Sequence, residues 1–167
     1  MIEVRVEDLA FYSGDAIIRP ATSTLGATTP LLRRLEQAMG PTLVAQLARA
    51  EPLDVGAAVV TGAGELPVDL LVHAVVSSDT ERVTRDGVRR ALRSALQRVL
   101  GWQIAEVAIP PFGLGAGNLD IDESAPLMAD ELALHLSTAA YPKRVTLVAE
   151  TPEEAVVLEA AVARSRR

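Results

Sequence analysis

The sequence predicts an α/β fold, a three-layer α/β/α sandwich built on a mixed, mostly parallel six-stranded sheet. Short apolar runs typical of strands alternate along the chain with amphipathic segments long enough to be helices. The run at residues 70–76, LLVHAVV, is apolar almost throughout, as expected for a strand covered on both faces. A strand, a glycine-rich turn and a helix follow one another around residues 104–122. Because 49% of the 167 residues are hydrophobic, we expect a single domain spanning residues 1–167.

The first half of the chain is predicted to contain four strands and one interrupted helix. The strands are expected at residues 2–6, where apolar and charged residues alternate, and at 15–18, 57–60 and 69–76. Arg19 and Pro20 are predicted to end the second strand, because proline cannot donate to a sheet ladder. A loop of small polar residues, 21–29, leads to a helix that opens at Pro30 and is interrupted near residue 40.

The second half alternates helices with single strands. Residues 84–100 form the clearest helix, with apolar positions spaced i, i+3 and i+4 and Gly101 at the expected C-terminal cap. Another helix is predicted to begin near Asp122, and a last one after Thr151 as its N-cap. Strands are expected at residues 104–109 and 144–149. The resulting order, ββαββαβαβα, implies the three-layer sandwich.

Composition excludes several classes of function. There is no cysteine, so disulfides, thiol nucleophiles and thiolate metal sites are ruled out. Neither histidine, His73 or His135, belongs to a metal-ligand motif, and we expect no metal site and no cofactor. His73 lies on a predicted buried strand and is interpreted as a structural histidine. A net charge of −6 disfavours general nucleic-acid binding.

Two further observations bear on where the protein acts. No apolar run approaches the roughly 18 residues that a membrane span needs, so no membrane partner is expected. Charged residues begin at Glu3, which is unlike a secretory signal peptide. The sequence therefore predicts a cytoplasmic protein.

The glycine-rich stretch is the candidate binding element. It consists of Gly113, Leu114, Gly115, Ala116 and Gly117 and follows a predicted strand that ends in two prolines. Glycines allow a close approach of the backbone to an anion, and a following helix N-terminus adds partial positive charge. The stretch therefore predicts a phosphate-binding loop. The alternative is a tight strand-to-helix turn that holds no ligand.

Three segments resemble a known family. Residues 7–9 together with 15–22 (DAIIRPAT) resemble the family pattern GDI…DAIVNAAN. Residues 56–73, GAAVVTGAGELPVDLLVH, are similar to G-A-x-x-T-x-G-x-L-P-x-x-x-V-I-H, and residues 109–119, IPPFGLGAGNL, to FPALGTGIGGF. The segments occur in the family's order and extend over nearly the whole chain. On this basis the chain resembles a divergent macro domain, the ADP-ribose-binding module.

The resemblance implies roles for matching residues. Asp8 would accept a hydrogen bond from the adenine amino group, with the Leu9 amide beside it, although Asp8 could instead cap the turn after the first strand. Residues 113–117 would wrap the diphosphate through backbone N–H groups. Thr22 stands where the family has the asparagine that contacts the distal ribose.

The departures from the family pattern are equally informative. Arg19 replaces the first asparagine and would either pair with a ligand phosphate or carboxylate, or fill the pocket and bond Asp15, Glu36 or a carbonyl. The catalytic aspartate of hydrolase members has no counterpart, since no carboxylate lies between Asp15 and Glu36. The aromatic residue that often stacks on adenine is absent from residues 149–151.

Three hypotheses for the function remain open. The first is a module that binds ADP-ribose or a related nucleotide diphosphate through the glycine-rich loop. The second is an ADP-ribosyl hydrolase or O-acetyl-ADP-ribose deacetylase, whose catalytic residues the sequence leaves unknown. The third is a scaffold with a degenerate pocket that forms a homo-oligomer.

Overall fold

Twelve regular elements make up the protein, and the computed structural model describes all of residues 1–167. The strands are β1 Ile2–Val6, β2 Ala16–Thr22, β3 Ala58–Gly62, β4 Leu70–Ser77, β5 Glu106–Ile109 and β6 Arg144–Ala149. The helices are α1 Pro30–Met39, α2 Pro41–Ala48, α3 Arg85–Gly101, α4 Ile121–Leu136 and α5 Pro152–Ser165. A short 3-10 turn, Leu9–Phe11, follows β1. Their order agrees with the order predicted from the sequence.

The six strands form one sheet in the order β1-β6-β5-β2-β4-β3. Every neighbouring pair is parallel except β3 and β4, which are antiparallel. The predicted mixed, mostly parallel six-stranded sheet is thus confirmed. Because five strands run the same way, their carboxyl ends share one edge, where α/β proteins bind ligands.

Helices cover both faces of the sheet, which gives the predicted three layers. One face and helices α3, α4 and α5 share a core of 28 buried residues, including Val72, Leu92 and Leu132. The other face packs against α1, α2 and the 3-10 turn in a core of 17 buried residues, including Leu9 and Leu35. Long apolar helix faces meet β-branched strand residues in both cores, so burial of apolar area stabilises the sandwich.

The second strand extends further than predicted. We expected it to end at Arg19 and Pro20, but β2 continues to Thr22. The strand is paired with β5 only at Ala16 and Ile17, whereas its pairing with β4 continues to the end. Beyond Ile17 the strand therefore has one unpaired side, and an edge of this kind tolerates proline.

The helix termini largely follow the sequence signals. Thr84 and Thr151 are the N-caps of α3 and α5, each accepting a backbone hydrogen bond through its hydroxyl. Gly101 was predicted to lie beyond α3, but it is the last helical residue and Trp102 is the cap. None of the helices combines the length and apolar character that crossing a bilayer requires.

Candidate functional site

The glycine loop, residues 112–119, follows β5 and is anchored at both ends. Phe112 is fully buried, and its carbonyl accepts a hydrogen bond from the Ser124 hydroxyl. Gly113 has a φ of 80°, and a Cβ there would come within 2.8 Å of the Val88 side chain. Only glycine suits that position, because any side chain would be both strained and blocked. The carbonyl of Gly113 accepts from the Leu119 N–H at 3.0 Å, which closes the loop.

Five consecutive backbone amides in this loop have no acceptor within the protein. They belong to residues 113–117, whereas the amides on either side, of Phe112 and Asn118, donate to Met128 and to the Gly115 carbonyl. Gly113, Gly115 and Gly117 all have positive φ. Alternating backbone conformations of this kind direct successive N–H groups into a concave anion-binding nest. The loop therefore has the donors that a phosphate group would need.

The helix after the loop contributes less than predicted. We expected the helix to begin near Asp122 and its N-terminus to add partial positive charge, but α4 begins at Ile121 and Asp120 is its N-cap. The Asp120 carboxylate accepts the Glu123 N–H at 2.9 Å, and Glu123 accepts the Asp120 N–H at 3.3 Å in return. This capping box places carboxylates at the positive end of the helix dipole. An anion in the loop would depend on the loop amides rather than on the helix.

Another loop approaches the glycine loop. It consists of residues 23–29, directly after β2, and is called the first loop because it comes earlier in the chain. The Thr28 carbonyl oxygen lies 3.3 Å from the point where a Cβ on Gly115 would be. The amides of Ala27 and Thr28 also have no acceptor within the protein. The two loops thus approach each other closely at the carboxyl edge of the sheet, and we call the space between them the crevice. The sequence did not single out residues 27 and 28.

Thr22, predicted to contact the distal ribose, takes part in hydrogen bonds within its own loop. Its hydroxyl accepts the Gly26 N–H at 3.0 Å and lies 3.2 Å from the Thr24 hydroxyl. The Thr22 carbonyl also accepts the Leu25 N–H at 2.8 Å. In this arrangement Thr22 holds the shape of the first loop.

Arg19 lies inside the protein, which corrects its prediction as a ligand-binding residue at the mouth of the crevice. It is fully buried, and its Nη2 donates to the Leu25 carbonyl at 2.7 Å. Its Nη1 is 3.6 Å from Glu36, close enough for an ion pair but too long for a hydrogen bond. Burial lowers the Arg19 pKa to about 10 despite Glu36. Of the two alternatives for Arg19, pairing with a ligand or filling the pocket, the structure shows the second. Arg19 forms an ion pair with Glu36 and a hydrogen bond to a carbonyl.

The Arg19 contact explains an unusual backbone conformation in the first loop. Leu25 has a φ of 63°, in the left-handed region that a branched residue rarely adopts. Its side chain is 4% exposed and packs in the core under α1 and α2. The buried side chain and the Arg19 bond to its carbonyl together hold the strained residue in place.

His73 extends this buried polar network across the sheet. Its Nδ1 accepts a hydrogen bond from Arg19 Nε at 2.8 Å, and its Nε2 lies 2.8 Å from the Thr61 hydroxyl. Burial and then the Arg19 charge lower the His73 pKa to about 3, so the ring is neutral. The prediction that His73 is a structural histidine with both ring nitrogens satisfied is confirmed.

Asp8 and Leu9 lie at the other end of the carboxyl edge, after β1. One carboxylate oxygen of Asp8, Oδ1, accepts the Ala10 N–H at 3.0 Å and caps the 3-10 turn. Asp8 is exposed, and its second oxygen has no partner within the protein. Leu9 is fully buried. The capping role of Asp8 therefore leaves one oxygen free for a ligand.

Two residues far apart in the chain meet where α1 approaches the end of β6. Arg34 on α1 pairs with Glu150 after β6, with 2.8 Å between Nη2 and Oε1. Sequence reasoning missed this pair, since 116 residues separate its members and each looks like an ordinary surface charge.

A large cavity lies away from the crevice. Its volume is about 930 Å³, and it opens between α2 and β3, with Leu47 and Val59 among its lining residues. No residue of the glycine loop lines it. Leu25 of the first loop does, so the cavity lies behind that loop.

Comparison with known proteins agrees with the fold. The family profile described as Macro domain matches residues 20–128, more than half of the chain. An uncharacterised protein of Aeropyrum pernix is 28% identical over 154 residues, covering 92% of this chain and 80% of the relative. O-acetyl-ADP-ribose deacetylase 1 of Pantoea vagans is 29% identical, covering 74% of this chain and 75% of the relative.

Solved structures show the same architecture. The Oceanobacillus iheyensis macrodomain with ADP superposes with a TM-score of 0.85 at 18% identity, covering 98% of this chain and 90% of that one. A variant of that macrodomain with ADPR superposes equally well, at 19% identity. Similarity to these structures at such low sequence identity shows a shared fold only. The match to the family profile shows membership of the family. The chain belongs to the macro domain family.

Proposed function

We propose that this protein binds ADP-ribose or a related nucleoside diphosphate, with the diphosphate held by the backbone amides of residues 113–117. The observation that carries the proposal is that these five amides have no acceptor in the protein. Three of these residues, Gly113, Leu114 and Gly115, are buried or half-buried, where donors without partners are costly, so the loop is suited to an anionic ligand. The macrodomain of O. iheyensis, which shares the fold, was solved with ADP.

A net charge of −6 does not oppose this proposal. Backbone amides bind phosphate by directed dipoles and need no basic surface. The ends of the crevice support a nucleotide in one orientation. Asp8 has a free carboxylate oxygen for an amino group of the base, and the amides of Ala27 and Thr28, near the glycine loop, have no acceptor within the protein.

Calorimetry with ADP-ribose tests the proposal. We expect wild-type affinity in the micromolar range, about −8 kcal/mol. Gly115→Glu should abolish binding, because a Cβ there would reach Thr28 and Asn118 and the carboxylate would repel the diphosphate. Gly101→Glu is the matched control, since it adds the same charge at the end of α3, where a Cβ meets nothing within 4 Å. Equal binding by wild type and Gly115→Glu would contradict the proposal.

A second candidate function is removal of an acyl or ADP-ribosyl group, favoured by the relative in P. vagans that is a deacetylase of O-acetyl-ADP-ribose. Against it, residues 22–29 contain no ionisable side chain, and Glu36 is paired with Arg19. A hydrolytic water would lack a protein carboxylate as general base. Turnover of O-acetyl-ADP-ribose by the wild type, lost in Gly115→Glu, would establish the enzyme; binding without turnover would leave the binding module.

A further inference from the structure

Strand β3 is the last strand of the sheet, and one side of its backbone is open. It pairs only with β4, in an antiparallel register. The Val75 N–H donates to the Ala57 carbonyl, and residues that bond to the neighbouring strand alternate along an antiparallel pair. Residues 59 and 61 therefore bond to β4. The backbone groups that point away from the sheet are those of Ala58, Val60 and Gly62.

The protein covers part of this open side and leaves the rest available. Ala58 is buried, and its carbonyl accepts a hydrogen bond from Arg98 Nε at 3.1 Å. The Thr61 hydroxyl donates to the Gly62 carbonyl at 2.8 Å. Val60 is half-buried and Gly62 exposed, and neither their N–H groups nor the Val60 carbonyl has a partner outside the ladder. Unpaired groups of this kind are a template for pairing with another extended chain.

The cavity between α2 and β3 runs along the same strand. Val59, Thr61 and Gly62 line it on the side of β3, whereas Leu43 and Leu47 line it on the side of α2. Its volume of about 930 Å³ is large enough for several side chains. Because side chains alternate between the faces of a strand, every second residue of a chain paired with β3 would point toward α2 and this cavity.

The charges around the cavity indicate which kind of chain fits. The ionisable residues that line it are two exposed glutamates, Glu51 and Glu65, and no cationic side chain is among the lining residues. A second copy paired through β3 would bring its own Glu51 and Glu65 toward the same edge, where like charges repel. A basic segment would pair with these carboxylates instead. Charge complementarity therefore favours a basic peptide over self-association.

We propose that β3 and the cavity together bind an extended peptide, which adds a strand to the sheet and directs apolar and basic side chains toward α2. The peptide main chain pairs with Val60 and Gly62. Its apolar side chains fill the cavity, and its lysine or arginine side chains pair with Glu51 or Glu65. Main-chain hydrogen bonds supply affinity in this mode of recognition, and alternate side chains supply specificity. No residue of the glycine loop lines the cavity, so the peptide site is separate from the nucleotide site.

A labelled synthetic peptide, Lys-Thr-Leu-Thr-Leu-Thr-Lys with blocked termini, tests the proposal, because its lysines and leucines share one face when it is extended. We expect saturable binding by fluorescence anisotropy. We also expect slower hydrogen exchange of the Val60 and Gly62 amides, measured by NMR, when the peptide is bound. Absence of binding, or binding that leaves the exchange of both amides unchanged, would overturn the proposal.

Two methylated versions of the peptide test the added strand without altering the protein. Backbone N–H groups of a strand point alternately to its two sides, so only one alternate set faces β3. Methylation of that set of nitrogens should abolish binding, whereas methylation of the other set should leave the affinity unchanged. Equal affinities of the two methylated peptides would show that the main chain does not pair with β3.

Variants of β3 test the same pairing from the protein side. Val60→Pro removes an N–H that points away from β4 and should weaken peptide binding by about three- to tenfold, the loss of one hydrogen bond. Val60→Thr is the matched control, because it keeps the N–H and the branched shape and should bind as the wild type does. Equal affinities of these two variants would contradict the proposal. Similar melting temperatures of the two exclude unfolding as the cause of a difference.

A charge reversal tests the choice of a basic peptide. Glu51→Lys should weaken binding by roughly two- to fivefold. Glu159→Lys is the matched control, since it makes the same change at an exposed position of α5, which packs against β1 at the opposite edge of the sheet. Unchanged affinity in Glu51→Lys would overturn the charge pairing. A dimer that forms without peptide and is dissociated by Val60→Pro would identify the occupant as a second copy and overturn the proposal.

Discussion

At the scale of single residues, the buried pair of Arg19 and His73 makes the fold sensitive to acid. The His73 pKa is lowered to about 3 in the folded protein by burial and by the Arg19 charge, against an ordinary value of 6.5. Below about pH 6.5 the unfolded chain therefore takes up a proton that the folded protein refuses. The His73 contribution to stability is complete above pH 6.5 and is lost progressively as the pH falls toward 3.

His73→Gln should reduce the acid sensitivity of the fold. Glutamine can still accept from Arg19 and donate to Thr61, but it does not titrate. We expect the free energy of unfolding of the wild type to fall faster than that of His73→Gln between pH 6 and 4, by up to about 1.4 kcal/mol per pH unit. Urea unfolding at a series of pH values measures this, and parallel curves for the two proteins would contradict it.

At the scale of the element, the turn from the glycine loop into α4 depends on Asp120. Its carboxylate forms both a cap and one half of a capping box with Glu123. Asp120→Ala should lower the free energy of unfolding by about 1 kcal/mol, whereas Asp120→Asn should change it little, because asparagine caps as well as aspartate. Urea unfolding of both variants is the measurement. An equal loss in both would mean that the charge, and not the cap hydrogen bond, is what stabilises the helix.

Most elements were predictable because their signals are local. Helix α3 follows from apolar spacing and a threonine cap, and β4 from an almost continuous apolar run. The continuation of β2 through Pro20 was not predictable, since it depends on which neighbour is paired with the strand at that point. The start of α4 was predicted to within a residue. The capping box formed by Asp120 and Glu123 was overlooked, although the spacing of the two residues is typical of one.

At the scale of the whole molecule, the candidate site is a product of strand order. The glycine loop was evident in the sequence, whereas its approach to Thr28 brings together residues almost ninety positions apart. The sequence also drew attention to Arg19 but left two alternatives open for it. Choosing between them required knowing that α1 covers β2 and brings Glu36 within 3.6 Å. Long-range contacts of this kind produce no repeating pattern of residue types in the sequence, so they cannot be predicted from it.

Ligand binding should stabilise the whole fold by mass action. At an ADP-ribose concentration about 100 times the dissociation constant, binding adds about 2.7 kcal/mol to the free energy of unfolding. For a protein of this size that raises the melting temperature by about 5–10 °C. Gly101→Glu should show the same increase and Gly115→Glu none. An increase in Gly115→Glu equal to that of the wild type would place the nucleotide outside the glycine loop.

The strained conformation of Leu25 constrains how this protein can evolve. Leu25 keeps its left-handed backbone conformation because Arg19 donates a hydrogen bond to its carbonyl and because the Leu25 side chain packs in the core. Loss of Arg19 alone would leave that conformation unsupported. A protein that first acquired glycine at position 25 would not need the hydrogen bond from Arg19. Among related proteins, replacement of Leu25 by glycine should therefore precede loss of Arg19. Proteins that have leucine at position 25 but lack arginine at position 19 should be rare.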